Sequence, residues 1–466
     1  MASAIIQTHE RLVKKEISCT KLVQEKLDAL AKNQYHSVNF LLSDLALAKA
    51  KQVDEKIAKG EKIGLLEGIP FGVKDVFLIQ GEHASASSKF LKNYISPYTA
   101  TAIQKLMDAG AIPVCKENAD SFGHGSTSEN TIFGAVKNAH NEALVGGGSS
   151  GGSAVNVAKE YTVFSIGGDT GGSIRQPAGY NKVYGFKPTY GRISRYGLMA
   201  YASSTDCVGP IASSLEDIEL VMNVISGKDY HDQTTFESKP FDIESFNVQC
   251  SKLKVGYYKE FIHNEGLSAD IKKEFLAFLE KLTAQGVEVK ELEFKNADTL
   301  VSTYYALAMA ETASNLARLD GSMYGERIAA DTLKESYAVT RSEGFTPESQ
   351  RRIVGGNQVL STGFADEIYL KAQALRKNIM QLFTQDFKEV SVILSPVSPT
   401  LPPQIGNSLK DPLAMYLSDI YTIGFSLGEL PTLTSPVGTA TGIQITADKK
   451  QDELTLKFAK YLNEIL

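Results

Sequence analysis

Two glycine-rich turns and one lysine hold the residues best suited to chemistry. The first turn reads Gly146-Gly-Gly-Ser149-Ser150-Gly-Gly-Ser153 and the second Gly167-Gly-Asp169-Thr-Gly-Gly-Ser173-Ile-Arg175. Glycine lets several backbone N–H groups turn toward one point, because no Cβ restricts φ. A nest of that kind stabilises an oxyanion, and Ser173 at its end is placed to attack a carbonyl held there. A serine hydroxyl is a weak nucleophile until a base adjoins it. Of seven histidines only His231 and His263 follow Ser149, so lysine has to be considered as the base. Lys74 ends the apolar run Gly68-Ile-Pro-Phe-Gly-Val-Lys74; burial there would lower its pKa and leave it neutral near pH 7. From residue type alone, an ion pair with the adjoining Asp75 explains this lysine equally well.

Other readings of the turns fit less well. A phosphate loop needs a lysine and then Ser or Thr after its last glycine, and the first turn has none. Gly147-Gly-Ser149-Ser-Gly151 matches the nucleophile elbow of α/β-hydrolases, but that fold requires a late histidine and none follows His263. Asp169-Thr-Gly resembles half of an aspartic protease site, which needs a second carboxylate triplet that is missing. A flexible linker would not sit between apolar segments. Cys19, Cys115, Cys207 and Cys250 are scattered without a CxxC pair, so no metal centre is expected.

The elements that must position these groups follow from periodicity. Helical spacing covers 4–33, with Ser18 as cap of a helix over 19–32, then 41–59 ending near Gly60. Gly68–Asp75 reads as a buried strand, 99–109 as a helix stopped by Gly110, 111–114 and 161–166 as strands. Ser214 with an acid three residues on predicts a capping box for a helix over 214–226. Residues 227–250 are polar and aperiodic and read as a surface loop. Strand 253–258, helix 267–284, strand 287–293, helix 364–387 and strand 390–395 then alternate, which is an α/β pattern. With 466 residues, 43% hydrophobic, 22% charged and a net charge of −6, the composition is ordinary for a globular protein. It lacks the basic footprint of a nucleic-acid binder. No run reaches the roughly 18 apolar residues that span a bilayer, and the charged N-terminus is no secretory signal. Reduced thiols and a cytoplasmic location are therefore expected.

Taken together, the motifs resemble the amidase signature family. Gly-Gly-Ser149-Ser-Gly-Gly resembles its cis-serine loop, Gly-Asp-Thr-Gly-Gly-Ser173-Ile-Arg its nucleophile loop, and Gly-Val-Lys74-Asp its lysine strand, with the two serines 24 residues apart. The resemblance runs to about residue 445. It implies the family's fold, a mixed twisted sheet flanked on both faces by helices. It also implies one domain, made of N-terminal helices (about 4–60), a signature core (about 65–226) and a substrate-recognition and sheet-completing part (about 250–466). Ser173 would attack the amide, Ser149 relay the proton, Lys74 act as the ultimate base, and the N–H groups of Thr170, Gly171, Gly172 and Ser173 form the oxyanion hole.

Within the family, the runs Gly185–Ser204, Tyr304–Gly321, Arg341–Ile353 and Asp411–Asp419 are similar to the glutamine-hydrolysing subunits of tRNA-dependent amidotransferases. That resemblance implies glutamine as substrate, with Arg352 clamping its α-carboxylate, Asp419 its α-ammonium and Tyr304 as a further contact; Arg351 and Tyr305 adjoin as alternatives. It implies the B and C subunits of such an amidotransferase as partners and no cofactor in this chain. ATP and magnesium would sit on the partner, and tRNA, charged as glutamyl-tRNA(Gln) or aspartyl-tRNA(Asn), would bind mainly through the B subunit. An amidase acting alone on another small amide is the alternative. The sequence departs from the family at His124, where methionine is usual, at Asn181, in place of a Cys-Gly stretch, and at Gly442-Ile-Gln-Ile.

Overall fold

A computed structural model describes residues 2–243 and 253–465. Among the described residues, eleven strands form one mixed sheet. They are β1 (Val38–Leu41), β2 (Pro70–Lys74), β3 (Ile112–Glu117), β4 (Phe164–Asp169), β5 (Tyr184–Lys187), β6 (Cys207–Ala212), β7 (Lys254–Tyr258), β8 (Glu288–Leu292), β9 (Val392–Pro396), β10 (Thr432–Ser435) and β11 (Ile443–Ala447), in the spatial order β1-β3-β2-β4-β6-β5-β10-β11-β9-β7-β8. β2 runs parallel to both β3 and β4, and β7 parallel to β8 and β9. The six remaining pairings are antiparallel. Helices flank the sheet, as expected of an α/β chain.

The central strands are fully buried along their length, β2, β3, β4 and β6 without exception. A strand covered on both faces reads as a continuous apolar run rather than an alternation, which is why Gly68–Asp75 was recognisable. Phe71 and Val73 join the main core, whereas Ile112 and Val114 pack with Leu12, Leu22 and Val53 of the N-terminal helices.

Those helices are Ala4–Val13, Cys19–Ala31 and Ser43–Ala58, and Ser18 caps the second by accepting from the Lys21 N–H. The predicted capping box at Ser214 is half formed. Ser214 accepts from the Asp217 N–H at 3.1 Å, but the Asp217 carboxylate turns to Ser3 and to the N–H groups of Ala4 and Ile5. It caps the first helix across 212 residues of chain, where it also meets that helix's positive end. The helix expected over 364–387 is a π turn (Ala365–Tyr369) followed by Leu370–Asp386. Of the loop expected over 227–250, residues 244–250 lie outside the described residues, as does Cys250.

Candidate active site

β2 and β4 are parallel neighbours, so both deliver the residues at and beyond their C-terminal ends to the same edge of the sheet, where open α/β sheets bind ligands. β2 ends on Lys74 and β4 on Asp169, at the start of the second glycine turn. Asp169 shapes that turn. Its carboxylate accepts from the N–H groups of Gly172 (2.9 Å), Ile174 (3.1 Å) and Arg175 (3.3 Å) and from the Arg175 guanidinium. Burial alone would raise its pKa, but the Arg175 charge and hydrogen bonds outweigh that and hold it below the ordinary value. Gly172 sits at φ +129, in a conformation that disfavours a side chain, and a Cβ there would lie 2.5 Å from Thr422 Oγ1.

Ser149 precedes the helix Gly151–Ala158, and the Gly148–Ser149 peptide is cis. The turn is packed without slack: a Cβ on Gly148 would lie 2.2 Å from Asp120 Oδ2 and 2.6 Å from the Thr127 nitrogen. The two glycine turns are joined by the Ser150 N–H, which donates to the Ser173 carbonyl at 3.0 Å. Lys74 Nζ donates to Ser149 Oγ at 2.7 Å and to the Gly168 carbonyl at 3.4 Å. The Asp75 ion pair that competed for this lysine goes elsewhere. Asp75 pairs with Lys116 at 2.9 Å, both fully buried, and also accepts from Asn39 and Ser85. Lys74 is thereby left to face Ser149. Burial pushes its ammonium down to about 8, against the opposing pull of Asp120, Asp169, Asp206 and Glu117. Burial likewise raises Asp120 to about 6 and Glu117 to about 7.

Ser173 opens onto a small cavity that it shares with Tyr201, Tyr304, Arg352 and Asp419 over a glycine floor. Arg352, on the helix Pro347–Leu360, has a side chain 3% exposed, whereas that of Arg351 is 46% exposed and reaches back from the surface to the buried Glu348 that Arg352 also pairs with. Adjacent helical residues point about 100° apart, so only one of the two can enter the cavity, and it is Arg352. Its Nε donates to Glu348 at 2.7 Å and its Nη1 to the Tyr201 hydroxyl at 2.5 Å; the rings of Tyr201, Tyr305 and Tyr416 surround the guanidinium. Asp419 accepts from Ser126 (2.7 Å) and Tyr305 (2.6 Å), and burial raises its carboxyl to about 6. Tyr304 and Tyr305 thus divide the work: the first lines the cavity near Gly171, the second holds Asp419.

Sequence reasoning passed over Glu348, Tyr201, Ser126 and Gln176. Glu348 stands four residues before Arg352, a helical i,i+4 signal that was readable. Gln176 accepts from the Gly148 N–H and donates to the Ser126 carbonyl, a long-range link with no local signature. Asn181 ties loops: its amide donates to the carbonyls of Gly146 and Pro177 and accepts from the Ala139 N–H. Among the described residues no group of three or more His, Cys, Asp or Glu is arranged to hold a metal ion, and no helix is long and apolar enough to cross a membrane.

A buried lysine on a serine, and a second serine at a glycine nest that opens onto a small cavity, are an arrangement suited to amide hydrolysis. The Amidase family profile matches residues 20–456, and the chain belongs to that family. More particularly, it is 42% identical over 465 residues to the A subunit of the glutamyl-tRNA(Gln) amidotransferase of Gloeothece citriformis, covering 98% of this chain and 96% of that one. The crystal structure of the corresponding glutamyl-tRNA(Gln) amidotransferase A subunit from Thermotoga maritima superposes with a TM-score of 0.79 at 32% identity, covering 98% and 94% of the two chains. A bacterial aryl acylamidase of the amidase signature family, 21% identical, has the same fold, with a TM-score of 0.85 over 98% of this chain and 95% of that one.

Proposed function

We propose that this chain is the glutamine-hydrolysing subunit of a tRNA-dependent amidotransferase, releasing ammonia for the amidation of misacylated glutamyl-tRNA(Gln). The observation that carries the chemistry is the 2.7 Å contact from Lys74 Nζ to Ser149 Oγ, in the turn joined to the one bearing Ser173. Neutral Lys74 takes a proton from Ser149, which takes the Ser173 proton as Ser173 Oγ attacks the side-chain amide carbon. The oxyanion forms at the second glycine turn. The Gly172 N–H already serves Asp169, so Thr170, Gly171 and Ser173 are the donors assigned to it. The proton returns through Ser149 to the leaving nitrogen, ammonia departs, and water releases glutamate from the acyl-enzyme.

Substrate choice rests on Arg352 and Asp419 in the same cavity as Ser173. A guanidinium pairs with an α-carboxylate and a carboxylate with an α-ammonium, with Tyr304 alongside. The Gloeothece citriformis and Thermotoga maritima relatives are both named as the A subunit of an amidotransferase, which supports a multi-subunit assembly. In it the B and C subunits, ATP, magnesium and most of the tRNA contact belong to the partners, and the whole acts in the cytoplasm. The test is Ser173→Ala with glutamine. Ammonia release should fall by many powers of ten, because the covalent route is gone. Wild-type release by the variant would sink the mechanism. Preference of the wild type for a neutral amide over glutamine would instead favour an amidase acting alone.

A further inference from the structure

His124 is fully buried, and the catalytic steps above do not use it. It lies behind the cavity, on the turn between Gly123 and Gly125, which line it, and it touches three separate elements. Its Nδ1 is 2.9 Å from Ser349 Oγ on the Arg352 helix. Its Nε2 is 3.5 Å from Thr312 Oγ1 on the helix Leu300–Asn315, which carries Tyr304 and Tyr305. Its ring stands edge-on to Tyr201, with centroids 4.8 Å apart at 81°, and the Tyr201 hydroxyl accepts from Arg352.

The hydrogen-bond pattern assigns the tautomer. Ser349 Oγ accepts from Thr346 Oγ1 at 3.1 Å, so its own proton goes to His124 Nδ1. Thr312 donates to the Ala308 carbonyl at 2.8 Å, so its lone pair receives Nε2–H. The imidazole is therefore neutral, with Nδ1 as acceptor. Burial and the nearby Arg352 charge keep it so, well below its ordinary pKa. Ser349 lies one helical turn before Arg352, so a bond that fixes Ser349 fixes the base from which the guanidinium reaches the cavity.

We propose that His124 is a positioning residue for the carboxylate clamp: through Ser349 and Tyr201 it sets where Arg352 stands, and so decides affinity for an amino-acid amide without taking part in bond breaking. This rests on the glutamine reading of the site.

The test compares glutamine with a neutral amide such as propionamide in the full-length chain. His124→Leu should raise KM for glutamine roughly tenfold, the effect of one buried acceptor lost, with kcat changed little. Its kcat/KM for propionamide should stay within about threefold, since that substrate has no carboxylate to place. His124→Asn, whose Oδ1 occupies the Nδ1 position, should restore most of the glutamine KM. His124→Leu with Ser349→Val should be milder than the sum of the two single changes, because an unpaired buried hydroxyl is removed along with its partner. An unchanged glutamine KM in His124→Leu, an equal loss on both substrates, or additive effects in the double variant each overturn the proposal while leaving the glutamine reading intact. A wild type that does not distinguish glutamine from propionamide overturns both.

Discussion

In the proposed mechanism Lys74 is useful because its environment is unfavourable to its charge. With the folded pKa near 8 and the unfolded one near 10.4, only a minority of molecules carry the neutral base at pH 7. The kcat for glutamine should therefore rise with pH and level off above about 8. A profile flat from pH 6.5 to 9 would exclude Lys74 as the base. The same depression has a stability sign. Between about 8 and 10.4 the unfolded chain holds a proton that the folded chain has released, so stability rises with pH through that window, and below 8 the full penalty applies. Lys74→Met should thus abolish hydrolysis and, by removing the buried charge, raise the denaturation midpoint at pH 7 relative to Lys74→Ala. Arg352 offers the complementary case. Its alanine variant should lose roughly a hundredfold in kcat/KM for glutamine and little for a neutral amide, while Arg351→Ala, on the solvent side, should behave as wild type on both; equal behaviour of the two variants would remove the clamp. Residue types pointed to Ser173 but left Lys74 divided between a base and an ion pair with Asp75; only the family resemblance grouped Lys74, Ser149 and Ser173, and the structure adds that Asp75 pairs with Lys116 instead. Choosing between Arg351 and Arg352 needed the phase of a helix, and separating Tyr304 from Tyr305 needed to know which ring reaches Asp419.

At the level of elements, the legible features were those with strong local signals: Ser18 as a cap, Gly60 and Gly110 at helix ends, apolar runs for β2 and β3. The missed ones lack them. β5 and β10 have only four residues each. The helix Leu300–Asn315, which carries Tyr304 and Tyr305, has buried residues distributed around it rather than along a stripe, so helical periodicity is weak. The Asp217 carboxylate capping a helix 212 residues earlier in the sequence is tertiary information that a capping-box pattern cannot contain. The helix Gly151–Ala158, which comes directly after the Ser149 turn, depends on close backbone approach. A Cβ at Gly152 would stand 2.4 Å from the Asn118 carbonyl oxygen and 2.5 Å from that of Ser37. Both are main-chain atoms that no rotamer change can move, so Gly152→Ala should lift the helix, displace Ser149 and destabilise the fold by roughly 3 kcal/mol or more. Gly60→Ala is the control: at φ +75 with nothing within 4 Å, it should cost only about 1 kcal/mol. Thermal unfolding of the two variants side by side makes the comparison, and equal shifts would mean the packing argument is wrong.

Across the whole molecule, the α/β alternation was readable, but the closure of the sheet was not. β5, from the first half of the chain, pairs with β10, from its last forty residues, as well as with β6. The Arg175 guanidinium, two residues beyond Ser173, is satisfied by the Thr422 carbonyl, Gln444 and Ser426 in addition to Asp169. Thr189 likewise bonds Asp452 through its N–H and its hydroxyl. The triad segment therefore has no hydrogen-bonded edge and no fully partnered Arg175 until the C-terminal segment is in place. A fragment ending at residue 226 would contain Lys74, Ser149 and Ser173, yet would expose the β5 edge as a template for aggregation and leave a charged group missing three of its partners. The expected outcome is an insoluble, inactive fragment and, for the full chain, a single cooperative unfolding transition with calorimetric and van't Hoff enthalpies in agreement. Two resolved transitions, or a soluble 1–226 fragment that hydrolyses amides, would show that the triad half folds by itself and that the sheet is a seam between two units.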